Sequence, residues 1–338
     1  MNAIDYVVLS HVIVDDLRFP SGAERRGVLG GAGSYAAAGA RLAADRVGIA
    51  CGVGENFRAS EHAAWFRANG IDTAGLEPRG PRTPRSAVVY HAEDARTETP
   101  LLGPAHFARM SPAIDRMPAA YRIATGYYLF RDHDAAFWDE AAALRASRRC
   151  GWDSGAVRST PPACHSPAAL PAASGAVVLW ELHAASTEPA CWPQVAARLA
   201  CVDVVSLNLA EGRRLCGRDA PREIVRRLLD TGVGGVALRL GADGALLGRR
   251  SAKLLRIPAW PAAVVDVTGA GNAFGGALLA GLGAGQDWLE SGCGAAAAAS
   301  LMLEQHGPPE QLDHGEWRRR RDLLLARVRS ATPAGATA

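Results

Sequence analysis

The sequence has 338 residues, of which 49% are hydrophobic and 21% are charged, and its formal net charge is +3. These values predict a globular protein with a sizeable core, in one large α/β domain or two ordinary ones. No apolar stretch reaches the roughly 18–20 residues that span a bilayer, so we expect a cytoplasmic protein without a membrane span. The single lysine, Lys253, excludes a G-K-[ST] phosphate loop, because no glycine precedes it.

Neither a disulfide framework nor a metal centre is predicted from the cysteines and histidines. The seven cysteines are scattered without a C-x-x-C pair, and the nine histidines lack metal-binding spacing. The arginine run from Arg318 to Arg321 is interpreted as the exposed face of the last helix, because no aromatic residues are interleaved with it. We therefore expect no nucleic-acid partner.

Short β-branched runs alternate with alanine- and arginine-rich helical stretches along most of the chain, which predicts a mainly parallel sheet with helices on both faces. The predicted strands are Tyr6–Val14, Arg46–Val53, Arg122–Gly126, Ala176–Trp180, Val202–Ser206 and Gly235–Leu240. The predicted helices are Ser34–Ala44, Ser60–Asn69, Asp134–Ala146, Pro193–Ala200, Leu209–Cys216, Pro221–Thr231, Ala273–Leu282, Trp288–Gln305 and Gly315–Arg327. The fold class is α/β, with a single domain over residues 1–330.

Two segments interrupt this alternation and predict a small antiparallel sheet that forms a lid over one edge of the domain. They cover about residues 17–28 and 82–103, and Ser86–His91 is the clearest strand. Exposed lid strands also favour a homodimer. The Pro-, Ser-, Ala- and Gly-rich segment 151–175 is interpreted as a loop without an assigned role, and residues 331–338 as a disordered tail.

The strongest functional signal is the run from Asp266 to Asn272, Asp-Val-Thr-Gly-Ala-Gly-Asn, which an apolar helix follows. The small residues Gly269, Ala270 and Gly271 leave backbone N–H groups unobstructed, and the helix dipole adds partial positive charge there. We interpret the run as an anion-binding loop. The alternative is a tight strand-to-helix turn whose glycines serve helix packing.

This run resembles the signature D-[ST]-x-G-A-G-D of the PfkB (ribokinase-like) family, with Asn272 in place of the last aspartate. Other family landmarks follow in the same order along the chain. Asp15 resembles the aspartate that holds substrate hydroxyls, and Gly30, Gly31 and Gly33 with Tyr35 resemble the glycine-rich substrate loop. Asn208 and Glu211 match the family's N-x-x-E element. Arg239 (at the threonine position), Gly241 and Gly244 match its T-x-G-x-x-G nucleotide loop.

The resemblance implies a three-layer α/β/α sandwich with a β lid and transfer of the ATP γ-phosphate to a sugar or nucleoside hydroxyl. It implies that Glu211 binds Mg²⁺ through water, that Asp266 lies at a monovalent-cation site such as one for K⁺, and that Thr268 contributes to the nucleotide site. Gly269–Gly271 would form the anion hole. The sequence Gly-Ala-Gly-Asn resembles a divergent branch typified by fungal Mak32-like proteins. Gly31–Ala36 also fits a dinucleotide fingerprint, but the polar segment before it separates it from the first strand.

Asn272 occupies the general-base position, and a carboxamide cannot accept a proton there. Three hypotheses follow. The protein is a kinase that is slow or has a displaced base, for which Asp15, Asp266 and His91 are candidates. It is an ATP-independent hydrolase or lyase for a sugar phosphate or nucleotide, since a neutral side chain suits an anionic ligand. Or it is a non-catalytic ligand-binding protein.

Overall fold

The protein is described by a computed structural model that covers residues 3–91, 96–133, 137–142 and 176–331. Strands alternate with helices along most of these residues. In chain order the strands are β1 (Tyr6–Leu9), β2 (Ile13–Arg18), β3 (Glu24–Gly30), β4 (Val47–Val53), β5 (Ile71–Pro78), β6 (Arg85–Tyr90), β7 (Arg96–Pro100), β8 (Gly126–Arg131), β9 (Val177–Leu182), β10 (Val204–Asn208), β11 (Gly235–Arg239), β12 (Ala245–Arg249) and β13 (Leu255–Ile257).

The central sheet has nine strands in the order β13-β12-β11-β10-β9-β8-β1-β4-β5. All neighbours from β11 to β5 pair in parallel, whereas β12 and β13 add two antiparallel strands at one edge. The carboxyl ends of the parallel strands therefore meet at one edge, where α/β proteins place their ligand sites. The predicted mainly parallel sheet is confirmed.

Helices cover both faces of this sheet because alternate strand residues point to opposite faces. The helices are α1 (Ala32–Ala43), α2 (Glu61–Ala68), α3 (Pro104–Arg109), α4 (residues 137–142), α5 (Trp192–Leu199), α6 (Leu209–Cys216), α7 (Pro221–Leu229), α8 (Ala270–Gly283), α9 (Trp288–Met302) and α10 (His314–Ala331). In β1, Tyr6 and Val8 join the core beneath α1, α2, α8, α9 and α10. Val7 and Leu9 join the core beneath α4 to α7. This arrangement is the predicted α/β/α sandwich.

A second, four-stranded sheet has the order β3-β2-β6-β7 and corresponds to the predicted β lid. The prediction that it is antiparallel was wrong at its centre, because β2 and β6 pair in parallel. The pairs β2–β3 and β6–β7 are antiparallel. The two hairpins come from distant parts of the chain, so turn patterns within each hairpin gave no information on how the hairpins pair with each other. The homodimer through these strands stays a prediction.

Two strand predictions were wrong in position. The predicted strand Tyr6–Val14 is divided between β1 and β2, which belong to different sheets. The prediction missed this division because apolar residues of both halves are buried, so hydrophobicity does not show where the chain passes from one sheet to the other. The predicted strand Arg122–Gly126 ends where β8 begins. There Arg122 donates to the carbonyl of Asp115, whereas the aromatic run after Gly126 forms the strand.

Some predictions concern residues outside the described ranges. Of the predicted helix Asp134–Ala146, residues 137–142 are helical and the remainder lies outside the described residues. The segment 151–175 also lies outside them. Of the predicted tail, Ala331 is the last residue of α10, and residues 332–338 are not described. None of the described helices is long and apolar enough to cross a membrane.

Candidate active site at the first turn of α8

The predicted anion loop ends at the N-terminus of α8. Gly269 is the residue before the helix, with φ of 78°, and no side chain caps the helix. This left-handed backbone conformation favours glycine. The first N–H groups of an α-helix lack partners within the helix, so an uncapped first turn can bind an anion.

The guanidinium of Arg239 lies against this first turn. A methyl group placed on the α-carbon of Gly271 would lie 2.8 Å from Arg239 Nε and 3.1 Å from Nη2. These distances are shorter than normal contacts, so glycine at position 271 leaves the room that the guanidinium occupies. The arginine that replaces the threonine of the T-x-G-x-x-G pattern is thereby brought to the anion loop.

Arg239 is held in place by side chains from two neighbouring strands. Its Nη1 donates to Glu181 Oε2 at 2.8 Å and Nη2 donates to Glu181 Oε1 at 2.5 Å, while Nη1 also donates to Ser206 Oγ. The side chains of Arg239 and Glu181 are 14% and 4% exposed. Burial raises the pKa of Glu181, and the adjacent guanidinium opposes that rise.

Asn272 is oriented by the buried Tyr128 of β8. The Tyr128 hydroxyl donates to Asn272 Oδ1 at 2.8 Å. The side-chain carbonyl of Asn272 is therefore engaged, and its NH₂ group is what remains for a ligand, as a hydrogen-bond donor. Position 272 thus presents a donor where the family signature has a proton acceptor.

Asn208 and Glu211 form a capping box at the start of α6. Glu211 N donates to Asn208 Oδ1 at 2.9 Å, and Asn208 N donates to Glu211 Oε2 at 2.8 Å. The N-x-x-E spacing therefore has a structural explanation in the folding of this helix. The loop at Gly241 and Gly244 connects β11 to β12, and both glycines have positive φ.

The acidic side chains near Asn272 do not fit a divalent cation as they stand. Glu181 accepts two hydrogen bonds from Arg239. Glu211 accepts from Asn208 N in the capping box, and its Oε2 lies 4.0 Å from Nη2 of Arg239. The guanidinium of Arg239 beside these carboxylates already supplies the positive charge that a bound cation would otherwise provide. In the described part of the chain, no group of three or more His, Cys, Asp or Glu side chains is arranged to hold a metal ion. Binding of Mg²⁺ through Glu211 stays a prediction.

The lid contacts the other side of the same loop. Arg96 Nη1 of β7 donates to Thr268 Oγ1 at 2.7 Å, and the Tyr90 hydroxyl of β6 lies 3.1 Å from the same oxygen. Tyr35, which is 3% exposed, packs its ring on Gly269, where an added methyl group would lie 2.1 Å from Cγ. Lid strands and α1 together therefore hold the segment before α8.

Asp266 anchors these contacts through its carboxylate. Thr268 N donates to Oδ1 at 2.8 Å, the Tyr90 hydroxyl donates to Oδ2 at 2.8 Å, and His306 Nδ1 lies 3.3 Å from Oδ2. Burial opposes ionisation of Asp266, but the hydrogen bonds outweigh it and lower its pKa. These contacts already engage both carboxylate oxygens of Asp266. The monovalent-cation site at Asp266 stays a prediction.

Asp15 on β2 is a buried carboxyl beside Gly30. It is 6% exposed, and a methyl group on Gly30 would lie 1.8 Å from its Oδ2. Oδ1 is buried without a hydrogen-bond partner in the described residues. Burial, reinforced by the charges of Glu98, Asp16 and Asp266 and opposed by Arg96, raises the pKa of Asp15 to about 8.

These residues, some predicted and some not, fall into two groups, one that reaches the first turn of α8 from the central sheet and one around the segment that precedes α8. The sheet-side cluster comprises Tyr128, Glu181, Ser206, Glu211, Arg239 and Asn272. The lid-side cluster comprises Asp15, Tyr35, Tyr90, Arg96, Asp266 and Thr268. Of the remaining predicted glycines, Gly31 precedes α1, and Gly33 donates to the carbonyl of His11.

Sequence reasoning did not identify Tyr128, Ser206, Tyr90 or Arg96. Tyr128 and Ser206 lie within buried strands, where the sequence pattern predicts a residue of the core and gives no sign of a functional role. A signal was available for Tyr90, which ends the clearest lid strand. Only the contacts of Tyr128 with Asn272, of Ser206 with Arg239, and of Tyr90 and Arg96 with Thr268 show why these residues matter.

The fold is a ribokinase-like α/β fold, as solved structures show. The putative Ribokinase II of E. coli, solved in complex with ATP and Mg+2, has a TM-score of 0.71 and 16% identity, with 96% of this chain and 99% of that chain covered. The Burkholderia thailandensis nucleoside kinase in complex with inosine has a TM-score of 0.67 and 16% identity, with 96% of each chain covered. At these identities the likeness concerns the fold.

Residues 178–314 match the model of the pfkB family carbohydrate kinases. A 1-phosphofructokinase of Rhodobacter capsulatus is 35% identical over 164 residues, which cover 42% of this chain and 50% of the relative. An uncharacterised Schizosaccharomyces pombe protein is 28% identical over 166 residues, covering 41% of this chain and 46% of that protein. The chain thus spans half or less of the length of these curated relatives. The divergent fungal branch stays a prediction.

Proposed function

We propose that the protein transfers the γ-phosphate of ATP to a hydroxyl group of a sugar or nucleoside, with Asp15 as the proton acceptor. The observation that carries this proposal is the buried, unpartnered Oδ1 of Asp15. A buried polar atom without a partner costs free energy, which a substrate hydroxyl would recover. The uncapped first turn of α8 is the proposed phosphate site.

Asp15 suits the role of base better than the other two candidates. Both oxygens of Asp266 accept hydrogen bonds, and its pKa is lowered. His91 Nε2 lies 2.8 Å from Thr97 Oγ1 on the exposed side of the lid. The pKa of about 8 for Asp15 lies near neutral pH, where a general base works best.

In the proposed reaction, Asp15 takes the proton of the substrate hydroxyl as that oxygen bonds to the γ-phosphorus. The bond between this phosphorus and the β–γ bridging oxygen breaks, and ADP leaves. The first N–H groups of α8 and the NH₂ group of Asn272 stabilise the negative charge on the transferred phosphoryl group. The base therefore acts from the lid and the charge stabilisation comes from the sheet side.

A second candidate is an ATP-independent hydrolase or lyase acting on a phosphorylated sugar or nucleotide. The hydrogen bond from Tyr128 to Asn272 favours it, since it engages the side-chain carbonyl and leaves the NH₂ group of Asn272 for a ligand. Such a donor would bind the phosphate of a substrate as readily as the γ-phosphate of ATP. The proposed cofactors ATP and Mg²⁺ would then not be needed for turnover.

A mass-spectrometric screen distinguishes these candidates. Wild type and Asn272→Asp are incubated with sugars, nucleosides and their phosphates, with and without MgATP. We expect a product heavier by one phosphoryl group only when MgATP is present. We also expect Asn272→Asp to be faster, by about 10–100-fold, because a carboxylate held by Tyr128 restores a base at position 272.

Loss of an ATP-independent product in Asn272→Asp would overturn the kinase proposal in favour of the second candidate. Ligand-dependent thermal stabilisation without any turnover by either protein would indicate a non-catalytic binding protein. Ala284→Ser, at the exposed residue that caps the end of α8, serves as the control for disturbance of the helix.

A further inference from the structure

The position of Arg239 is not explained by the nucleotide-loop pattern, in which it replaces a threonine. Of the five N–H groups of a guanidinium, Glu181 and Ser206 accept three: two from Nη1 and one from Nη2. The Nε–H group and the second hydrogen of Nη2 remain. Nε and Nη2 are also the two nitrogens close to Gly271. Because Cζ would also lie only 3.0 Å from a methyl group on Gly271, the guanidinium packs against α8's first turn through the half that carries these two unused hydrogens.

Two sources of positive potential are adjacent at this point. The uncapped N-terminus of α8 carries a partial positive charge, and Arg239 carries a full one. Glu181 pairs with the guanidinium and also lies against α8, with Oε2 3.3 Å from a methyl group placed on Gly275, and Glu211 lies farther from the guanidinium, at 4.0 Å. A bidentate edge beside free backbone N–H groups is the arrangement that proteins use for phosphate oxygens.

We infer that Arg239, positioned by Glu181, binds the phosphate of the ligand directly and takes the place of the divalent metal in holding it. Glu181 fixes the plane of the guanidinium, so that Nε and Nη2 meet phosphate oxygens beside the amides of Gly271 and Asn272. The phosphate site is therefore occupied without Mg²⁺. The inference rests on the proposed function in one respect, namely that the first turn of α8 is the phosphate site.

The contacts of the carboxylates support this assignment. A site that recruits Mg²⁺ needs one or two carboxylates free to face the metal or its waters. Glu181 is committed to Arg239 on both oxygens, and one oxygen of Glu211 is committed to the backbone of Asn208. The buried guanidinium would also repel a divalent ion placed beside it.

Calorimetric titration with inorganic pyrophosphate, in EDTA and separately in excess MgCl₂, tests the inference without requiring turnover. We expect wild type to bind pyrophosphate in EDTA. Arg239→Thr should weaken that binding by about 10–100-fold, because two charge-assisted hydrogen bonds are lost. Arg239→Lys should lie between the two, since a lysine keeps the charge without the planar edge. Arg214→Thr, which removes an exposed arginine, should bind as wild type does.

Glu181→Gln tests the positioning role of Glu181, and an unchanged binding stoichiometry shows that this less stable variant is still folded in the titration. This variant keeps the arginine but removes the paired carboxylate that fixes the orientation of its guanidinium. It should weaken pyrophosphate binding by about 3–30-fold at unchanged stoichiometry. If Arg239→Thr does not fold, Gly271→Ala provides the same test, since its methyl group displaces the Nε–Nη2 edge while keeping the charge. It should weaken binding at least as much as Arg239→Lys does.

Binding that occurs only with MgCl₂, or that is unchanged or tighter in Arg239→Thr, overturns the inference, because the guanidinium would then block the first turn. Failure of the proposed function is recognised separately. In that case the screen finds no ATP-dependent product while Arg239-dependent binding in EDTA persists. Conversely, ATP-dependent turnover with Arg239-independent binding leaves the function intact and removes the inference.

Discussion

The sheet-side and lid-side clusters differ in how completely their polar groups are paired. On the sheet side, the carboxylate of Glu181, the hydroxyl of Ser206 and the carbonyl of Asn272 all have partners. On the lid side, Asp266 and Thr268 are paired, but Asp15 keeps one buried oxygen unpartnered. Both clusters meet the same helix end, so the difference lies in what each is prepared to bind.

A cluster whose acceptors are all paired holds its remaining donors in place before a ligand arrives, and such preorganised groups stabilise an anion at little reorganisation cost. An unpartnered carboxyl gains a hydrogen bond only when a ligand provides it. We therefore assign the phosphate to the sheet side and the hydroxyl group to the lid side. Each of the following predictions would break or sharpen that division.

The largest expected effect is that of Asp15→Asn on the rate. If Asp15 accepts the substrate proton, kcat should fall by about 10²–10⁴-fold. In wild type, kcat/KM should rise with pH up to about 8, and the variant should lose that rise. The measurement is a pH–rate profile with the hydroxyl compound identified by the screen.

Asp16→Asn is the matched control for Asp15→Asn. Asp16 is the next residue of β2, but its carboxylate pairs with Arg85 and accepts from Gly27 N. It should keep its rate within about threefold. A normal kcat with a raised KM in Asp15→Asn would show that Asp15 orients the substrate without acting as the base.

Glu181→Gln should have the largest effect on stability. Removing one charge of a buried pair leaves Arg239 uncompensated, which costs about 3–5 kcal/mol. Urea denaturation at pH 7 measures the loss in the free energy of unfolding. Glu188→Gln, in an exposed pair with Arg214, should cost less than about 1 kcal/mol. Equal losses in the two variants would contradict the strong coupling assigned to the sheet side.

The lid side should instead show a pH-dependent stability. Because the pKa of Asp15 is raised from 3.8 to about 8 on folding, the folded state keeps a proton that the unfolded state releases between these values. The free energy of unfolding should therefore decrease as pH rises from 4 to 8. Asp15→Asn should reduce the decrease between pH 5 and 8 by about 3–4 kcal/mol. Parallel urea curves for the two proteins across this range would contradict the burial of a proton at Asp15.

Much of the fold could be predicted from the sequence, because buried strands and amphipathic helices leave periodic patterns. The start of α8 was also recognisable, since small residues before an apolar run, such as Gly269 and Gly271, are typical of a strand-to-helix turn. The paired hairpins of the lid were not predictable in detail. The parallel pairing of β2 with β6 depends on contacts between segments about 70 residues apart, which no local pattern records.

The roles of individual site residues were less accessible from the sequence. The spacing of Asn208 and Glu211 fits both a metal-binding element and a capping box, and only the hydrogen bonds show that the box forms. The motif drew attention to Arg239, but its bidentate pair with Glu181 required the strand order β9-β10-β11. Side-chain chemistry at a sheet edge depends on which strands are neighbours, and that order is a property of the whole chain.

The smallest expected effect concerns the contact that joins the lid to the anion loop. Tyr90→Phe removes the hydroxyl that donates to Asp266 and lies near Thr268, which should cost about 1 kcal/mol. Without it, hydrogen exchange of the β6 and β7 amides should become faster by about fivefold, while exchange in β9 and β10 stays unchanged. Thr99→Ala, at an exposed position of β7, should leave all four strands unaffected. Faster exchange in β9 and β10 as well would mean that the two sides of α8 respond together, and the division between a paired phosphate side and an adaptable lid side would have to be abandoned.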